Sequence, residues 1–266
     1  MVEYKECYVA FLDILGFKEL INNSNCNVIH DIFQSVLNFE VRAMMKSATV
    51  YKEIKYTIMS DSIIVYIETK YANGFVALAD ACSQIQMKLL QNNPPILLRG
   101  GIERGTLYHK DNILFGQGLT KAYLLENNAA TYPRIIFTEE LRQLGLANTD
   151  RLYVFDYNNM FYRKDSDEFY YINFLNMTNY ILASNAKNRE DVEKINNDFF
   201  DKLLEHVEKI LSAEINLSVR GKYLWLKKKI KEQIKCMPSV KSYFEEKDRK
   251  EQEERDKRFG ETLKGE

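Results

Sequence analysis

Apolar residues in the first 150 positions alternate between short runs with strand character and longer segments with helical spacing. Residues 8–13 are nearly all apolar and rich in strand formers, which predicts a central strand buried on both faces and ending on Asp13. Two helices are predicted next: one opens at Gly16-Phe17, and the other covers about 28–46, where Ile29, Ile32, Phe33 and Val36 recur at helical spacing.

The next segments complete a recognisable order of elements. Runs at 51–59 and 62–67 are rich in strand formers and are separated only by Ser60-Asp61, which predicts a hairpin with Asp61 at its tip. A helix at 73–91, a strand at 97–108, a helix at 118–130 and a strand at 134–137 follow. This order predicts an α+β fold on the split βαβ plan, a ferredoxin-like or palm-like sheet, mostly antiparallel, with helices on one face.

The remainder of the chain has a different pattern. Residues 151–244 begin with aromatic strand-like segments at 152–155 and 169–172 and continue with helical patterns at about 188–214 and 217–236. We expect residues 1–150 to form a catalytic domain and residues 151–244 to form a mainly helical extension packed on it. Residues 245–266 are almost wholly charged, which predicts a solvated, frayed helix end.

Charge and cysteine usage exclude several classes of protein. The chain has 37 Lys and Arg against 38 Asp and Glu, so no overall positive field favours duplex nucleic acid or an anionic membrane. The four cysteines lack the paired spacing of a zinc or redox site. No apolar stretch is long enough to span a bilayer, and the N-terminus does not resemble a signal peptide. We therefore expect a cytoplasmic protein.

Two carboxylates give the clearest chemical signal. In the split βαβ plan the end of the first strand lies beside the hairpin tip, so Asp13 and Asp61 are expected to meet. Paired carboxylates with nearby backbone carbonyls suit Mg²⁺ or Mn²⁺, and two such ions can activate an attacking oxygen and stabilise leaving pyrophosphate. The open alternatives are that Asp13 caps the following helix and that Asp61 is an ordinary turn residue.

Three phrases in fixed order sharpen this prediction: Phe11-Leu-Asp-Ile-Leu-Gly-Phe17, Ser60-Asp-Ser62 and Arg99-Gly-Gly-Ile-Glu-Arg-Gly105. Together they resemble the class III nucleotidyl cyclase family over about residues 5–145. The resemblance implies that Asp13 and Asp61 hold two Mg²⁺ or Mn²⁺ ions per site and that the Ile14 backbone carbonyl is a further ligand. Ser60 stands where the family usually has glycine.

The sequence also departs from the family pattern. Thr120 and Leu124 occupy the positions of the family's ribose-orienting Asn and phosphate-binding Arg. Basic side chains that could replace them, since guanidinium and ammonium groups bind phosphate, are Arg99, Arg104, Lys121 and Arg134. We take Arg99 and Arg134 as catalytic candidates, and surface salt bridges are the alternative for each of the four.

The base-reading positions are only half retained. Lys55 is in register with the lysine that reads the base in adenylyl cyclases, but the partner aspartate position is Ile113. The predicted nucleotide-binding set is Phe17, Lys55, Arg104, Ile113, Thr120 and Lys121. With the phrase Tyr132-Pro-Arg-Ile-Ile, the chain is most similar to bacterial pyrimidine cyclases of the Pycsar type. That similarity implies conversion of UTP or CTP to a 3′,5′-cyclic monophosphate, a homodimer, a separate effector and a role in antiviral defence.

Three other functions stay open. The chain could be a purine cyclase acting on ATP or GTP, or a dinucleotide synthase in which the attacking hydroxyl belongs to a second nucleotide. It could also be a nucleotide sensor without turnover, a reading favoured by the absence of the family's ribose-orienting Asn and phosphate-binding Arg. Retention of both aspartates argues against the sensor, because a sensor has no need of a metal site.

Overall fold

A computed structural model describes residues 3–37, 49–150, 161–177 and 189–236. The strands in the described part are β1 (Lys5–Ile14), β2 (Lys55–Met59), β3 (Ser62–Glu68), β4 (Leu98–Lys110), β5 (Ile113–Phe115), β6 (Ile135–Phe137), β7 (Tyr162–Lys164) and β8 (Tyr170–Ile172). The helices there are α1 (Phe17–Asn23), α2 (Cys26–Leu37), α3 (Gly74–Leu90), α4 (Gln117–Ala129), α5 (Glu139–Ala147), α6 (Arg189–Ala213) and α7 (Leu217–Cys236). Short 3₁₀ segments lie at Thr49–Glu53 and Phe174–Met177.

The described strands form one sheet in the order β2-β3-β1-β4-β6-β8-β7, with β5 paired to β4. The pairing is antiparallel except between β4 and β6. The predicted α+β class with a mostly antiparallel sheet is therefore confirmed. Strand β1 is central because its apolar residues are buried on both faces, as its sequence predicts.

Alternate residues of β1 belong to two different cores. Tyr8, Ala10, Leu12 and Ile14 pack into the main core, which α3 fills with a nearly continuous buried surface. Val9 belongs to a smaller core on the opposite face, where Phe11 also packs and which includes Ala122 of α4. Since side chains alternate along a strand, Asp13 faces the same side as Val9 and Phe11, the side on which α4 lies.

Helix α4 lies unusually close to β4. A Cβ atom added at Gly101 would lie 2.8 Å from the Ala122 carbonyl oxygen, and one added at Gly105 would lie 2.8 Å from the Gly118 nitrogen. Both distances are shorter than a carbon can tolerate, so these glycines are required for the helix to pack directly on the strand.

The segment beyond residue 150 is part of the same sheet. Strand β8 pairs with β6, and β7 pairs with β8. Helices α6 and α7 pack on each other, and α7 also contacts the 3₁₀ segment Phe174–Met177. The extension predicted for 151–244 thus contributes strands to the sheet as well as helices.

Several elements differ from the sequence prediction. Residues 51–53 lie in a 3₁₀ turn instead of a strand, because Tyr51 turns inward and its hydroxyl donates to Asp80, 3.0 Å away. Helix α5 and strand β7 were not predicted. The strand expected at 152–155, the distal part of the helix expected at 28–46, and residues 245–266 lie outside the described residues.

Candidate active site

The end of β1 and the tip of the β2–β3 hairpin meet as the sequence predicted. Asp13 pairs in register with Ser62, the first residue of β3. The Ile14 backbone N–H donates to the Asp61 carbonyl oxygen over 2.9 Å, which fixes the tip against the strand. Asp13 and Asp61 are therefore neighbours across two strands, each partly exposed.

The turn that carries Asp61 depends on Ser60. Its φ is +58°, in the left-handed region that favours glycine. This geometry explains why glycine suits the position and why a small polar residue such as serine is tolerated there.

Replacing Ser60 with Val is expected to lower the free energy of unfolding by about 1–2 kcal/mol, because a branched side chain is strained at positive φ. Ser60→Gly is the matched control and should be tolerated, since glycine adopts this conformation without strain. Urea unfolding monitored by circular dichroism measures both. Equal stability of the two variants would contradict the assigned turn conformation.

Arg99 is the basic residue that the structure brings to the aspartates. It pairs in register with Asp13, and its Nε donates to Asp13 Oδ2 over 3.0 Å. Its Nη1 donates to the Ala130 carbonyl oxygen at the end of α4 over 3.2 Å. Arg99 is therefore placed where it can act on a group bound at Asp13.

Glu126 is a member of this cluster that the sequence analysis missed. Its side chain is 3% exposed, and its Oε1 lies 2.8 Å from Arg99 Nε. A signal for it exists in the sequence: Gly118, Ala122 and Glu126 recur every four residues and form the buried stripe of α4. A carboxylate in an otherwise small-residue stripe marks a charge that the fold must compensate.

The three carboxylates influence one another. Burial raises the pKa of Glu126, the Arg99 charge lowers this pKa, and the charges of Asp13 and Asp61 raise it further. The site thus concentrates negative charge around one guanidinium, an arrangement that attracts a divalent cation.

The donor set fits an ion that keeps water or phosphate oxygens as its other ligands. In the described part of the chain there is no group of three or more His, Cys, Asp or Glu residues arranged to hold a metal ion. Two carboxylates are nevertheless what Mg²⁺ commonly takes from a protein, because it retains waters and substrate phosphates as its other ligands. Asp13 and Asp61 fit that mode of binding.

Other predicted nucleotide-binding residues lie away from this cluster. Lys55 begins β2, about 13 Å along the strand from Met59 beside the tip. Ile113 pairs with Lys110, roughly 35 Å along β4 from Arg99. Thr120, in the second turn of α4, is exposed, and its hydroxyl donates to the Gly116 carbonyl oxygen over 3.2 Å. Within one chain Lys55 and Ile113 do not share a site with Asp13.

Arg104 and Lys121 are brought together, but in a different place. They line a cavity of about 290 Å³ whose wall also includes Glu6, Glu103 and Glu140 and neither aspartate of the pair. Arg104 pairs with Glu6 over 3.4 Å. Because glutamates outnumber basic residues there, the cavity does not favour a triphosphate.

Phe17 and Arg134 are both buried, contrary to what nucleotide contact by their side chains requires. The Phe17 ring is 8% exposed and packs against Phe33. The Arg134 side chain is 0% exposed and forms ion pairs with Asp165 and Asp167. These contacts account for both side chains without a nucleotide, so the structure gives no support to their predicted roles.

Comparison with known proteins gives similarity only at the level of structure. No family model matches the chain, and no curated protein matches it. The adenylyl cyclase CyaB from P. aeruginosa is similar over 65% of this chain and 95% of its own, with 19% identity and a TM-score of 0.44. The catalytic core of a rhodopsin-guanylyl cyclase with converted specificity, in complex with ATPαS, is similar over 64% of this chain and 95% of its own, with 12% identity and a TM-score of 0.44.

A third similar structure is the adenylate/guanylate cyclase/hydrolase from Silicibacter pomeroyi, over 65% of this chain and 99% of its own, with 14% identity and a TM-score of 0.41. All three are named as nucleotide cyclases. At these scores the likeness carries no argument about activity, which has to come from the residues of this chain.

Within the described residues, no helix is long and apolar enough to cross a membrane.

Proposed function

We propose that this chain is a nucleotidyl cyclase that uses Asp13 and Asp61, with two Mg²⁺ or Mn²⁺ ions, to convert a nucleoside triphosphate to a 3′,5′-cyclic monophosphate. The observation that carries the proposal is the register between β1 and the hairpin tip, which makes the two aspartates neighbours with Arg99 beside them.

The proposed reaction is an intramolecular displacement at the α-phosphorus. The ribose 3′-hydroxyl gives its proton to water and its oxygen forms a bond to the α-phosphorus. The bond from that phosphorus to the oxygen that bridges to the β-phosphorus breaks, and pyrophosphate leaves with that oxygen. When bound, divalent ions would lower the pKa of the 3′-hydroxyl and neutralise charge on the leaving group. Asp13 and Asp61 supply the oxygen ligands, and Arg99 supplies a fixed positive charge next to Asp13.

We propose a pyrimidine triphosphate, UTP or CTP, as substrate. Lys55 is retained, but Ile113 has no polar group with which to complete purine recognition. A purine triphosphate, ATP or GTP, is the alternative substrate. The cyclic product would act on a separate effector, in keeping with a role in antiviral defence.

A homodimer is part of the proposal. Lys55 and Ile113 lie too far from Asp13 to join its site within one chain, so a second copy would have to supply them. Exposed apolar side chains flank these positions and would be covered in a dimer: Met59, Ile113, Phe115, Tyr123 and Leu124.

The test is to incubate the full chain with ATP, GTP, CTP and UTP separately in Mn²⁺ and to identify products by mass spectrometry. We expect a cyclic monophosphate and pyrophosphate from one pyrimidine. Light scattering on the same preparation should give the mass of two 31.3 kDa chains.

Each other product has a distinct meaning. A cyclic monophosphate from ATP or GTP would preserve the cyclase and overturn the pyrimidine assignment. A dinucleotide would identify a synthase, because the attacking hydroxyl then belongs to another nucleotide. Binding of a triphosphate without any product would identify a sensor and overturn the proposed reaction.

A further inference from the structure

The contact between Arg99 and Glu126 leaves one acceptor unused. Arg99 Nε carries a single hydrogen, which points to Asp13 Oδ2 at 3.0 Å. Glu126 Oε1 is closer to the same nitrogen, at 2.8 Å, yet receives no aligned hydrogen bond in the described part of the chain. One guanidinium hydrogen therefore has two carboxylates within reach and binds only Asp13.

The same guanidinium is already attached to α4. Arg99 Nη1 donates to the carbonyl oxygen of Ala130, one helical turn beyond Glu126. The helix backbone at Glu126 lies directly on β4, where a Cβ atom added at Gly101 would lie 2.9 Å from the Glu126 nitrogen. Glu126 is thus a fixed acceptor held beside Arg99, independent of what happens at Asp13.

We propose that Glu126 is a positioning residue for the metal site. Arg99 can pair with either Asp13 or Glu126, and Glu126 balances the guanidinium charge when Asp13 binds a divalent ion. The inference rests on the proposed function, because it assumes that Asp13 and Asp61 bind the ion. It adds a residue whose role is to set the strength of that binding.

The reasoning is electrostatic. A guanidinium paired with Asp13 competes directly with a metal ion for the same carboxylate. Glu126 offers the Arg99 Nε–H an alternative acceptor, so that Asp13 can be released without leaving a partly buried charge unpaired. Together, three carboxylates and one guanidinium leave two net negative charges, which favours cation binding at this site.

The test measures Mn²⁺ binding by the free-ion signal in electron paramagnetic resonance, using the full chain without nucleotide. Glu126→Gln is expected to raise the Kd for Mn²⁺ about tenfold, within the range found for residues that support metal ligands. Arg99→Gln is expected to lower the Kd, because Asp13 loses its competitor. The double variant should keep the Kd of Arg99→Gln, because Glu126 acts on the metal site only through Arg99 and its removal adds nothing once Arg99 is gone.

The non-additivity of the two changes separates this role from a structural one. Glu140→Gln, an exposed glutamate on α5, is the matched control and should leave the Kd unchanged. Gln has the shape of Glu, and Arg99 keeps Asp13 and Ala130 as partners, so Glu126→Gln should fold; thermal unfolding checks this. If Arg99→Gln fails to fold, a folded Glu126→Gln variant compared with Glu140→Gln still decides.

Two failures are distinguishable. If Asp61→Asn binds Mn²⁺ as tightly as the wild type, the metal site itself is wrong and the proposed function fails. If Asp61→Asn weakens binding while folded Glu126→Gln has the wild-type Kd, or if the effects of the Glu126 and Arg99 changes simply add, the metal site stands and the role of Glu126 is overturned.

Discussion

Replacing Asp61 with Asn is expected to reduce cyclase turnover on the order of 100-fold or more, because even residues that only support metal ligands cost 10–100-fold when removed. Asn keeps the shape of the side chain but removes the negative charge that the ion requires. The Asp61 carbonyl still accepts from Ile14, so the hairpin tip should stay in place. Initial rates of product formation in saturating Mn²⁺ measure the loss.

The same substitution at Asp31 is the matched control. This residue lies on α2 with its side chain 82% exposed, and α2 packs on α3, on the face of the sheet opposite to Asp13. Asp31→Asn should therefore retain wild-type turnover. A folded Asp61→Asn protein with undiminished turnover would remove Asp61 from the mechanism and with it the proposed two-ion site.

Replacing Arg134 with Met is expected to destabilise the fold by about 3 kcal/mol, the lower end of the range for breaking a buried ion pair. The guanidinium binds Asp165 through Nη1 at 2.8 Å and also contacts Asp167. Asp165 retains three donors, Trp225 Nε1 at 2.8 Å, the Ser166 backbone N–H at 3.0 Å and Lys229 Nζ at 3.3 Å, which limits the loss. Chemical unfolding of the full chain measures the change.

Arg104→Met provides the comparison, because Arg104 and Glu6 form an exposed pair that should contribute no more than about 1 kcal/mol. The experiment also decides between two roles for Arg134. Loss of stability with turnover retained under folding conditions would establish a structural role, whereas unchanged stability with lost turnover would restore Arg134 as a catalytic residue.

The sequence predicted the structure best where a local pattern of apolar residues is compatible with only one kind of element. The apolar run ending at Asp13 predicted a central strand because burial on both faces leaves no polar position in between. The separation of two strand-forming runs by only Ser60-Asp61 predicted the hairpin, and the split βαβ order then predicted that the two acids meet.

Other features depended on tertiary contacts that no local pattern encodes. Arg99 and Arg134 look alike in sequence, yet one lies beside Asp13 and the other is enclosed by Tyr132, Tyr171 and Trp225. The difference comes from the extension, in which Asp165 is brought next to Arg134 by the pairing of β8 with β6.

Helix α5 was missed although a local signal was present. Thr138 is followed by two glutamates, and its hydroxyl accepts from the Leu141 N–H over 3.2 Å, a normal helix cap. Strand β7, by contrast, has three residues and two exposed basic side chains, so its sequence gave no reason to expect a strand.

The close packing of α4 on β4 has a consequence for how the site can move. With glycines at the contact and no side chain between the two backbones, the helix and strand form a stiff support that carries Arg99 and Glu126 as a unit. The hairpin tip with Asp61 is tied separately to β1, through the Ile14–Asp61 backbone bond. A substrate would therefore bind against a stationary wall in which Arg99 and Glu126 keep their relative position.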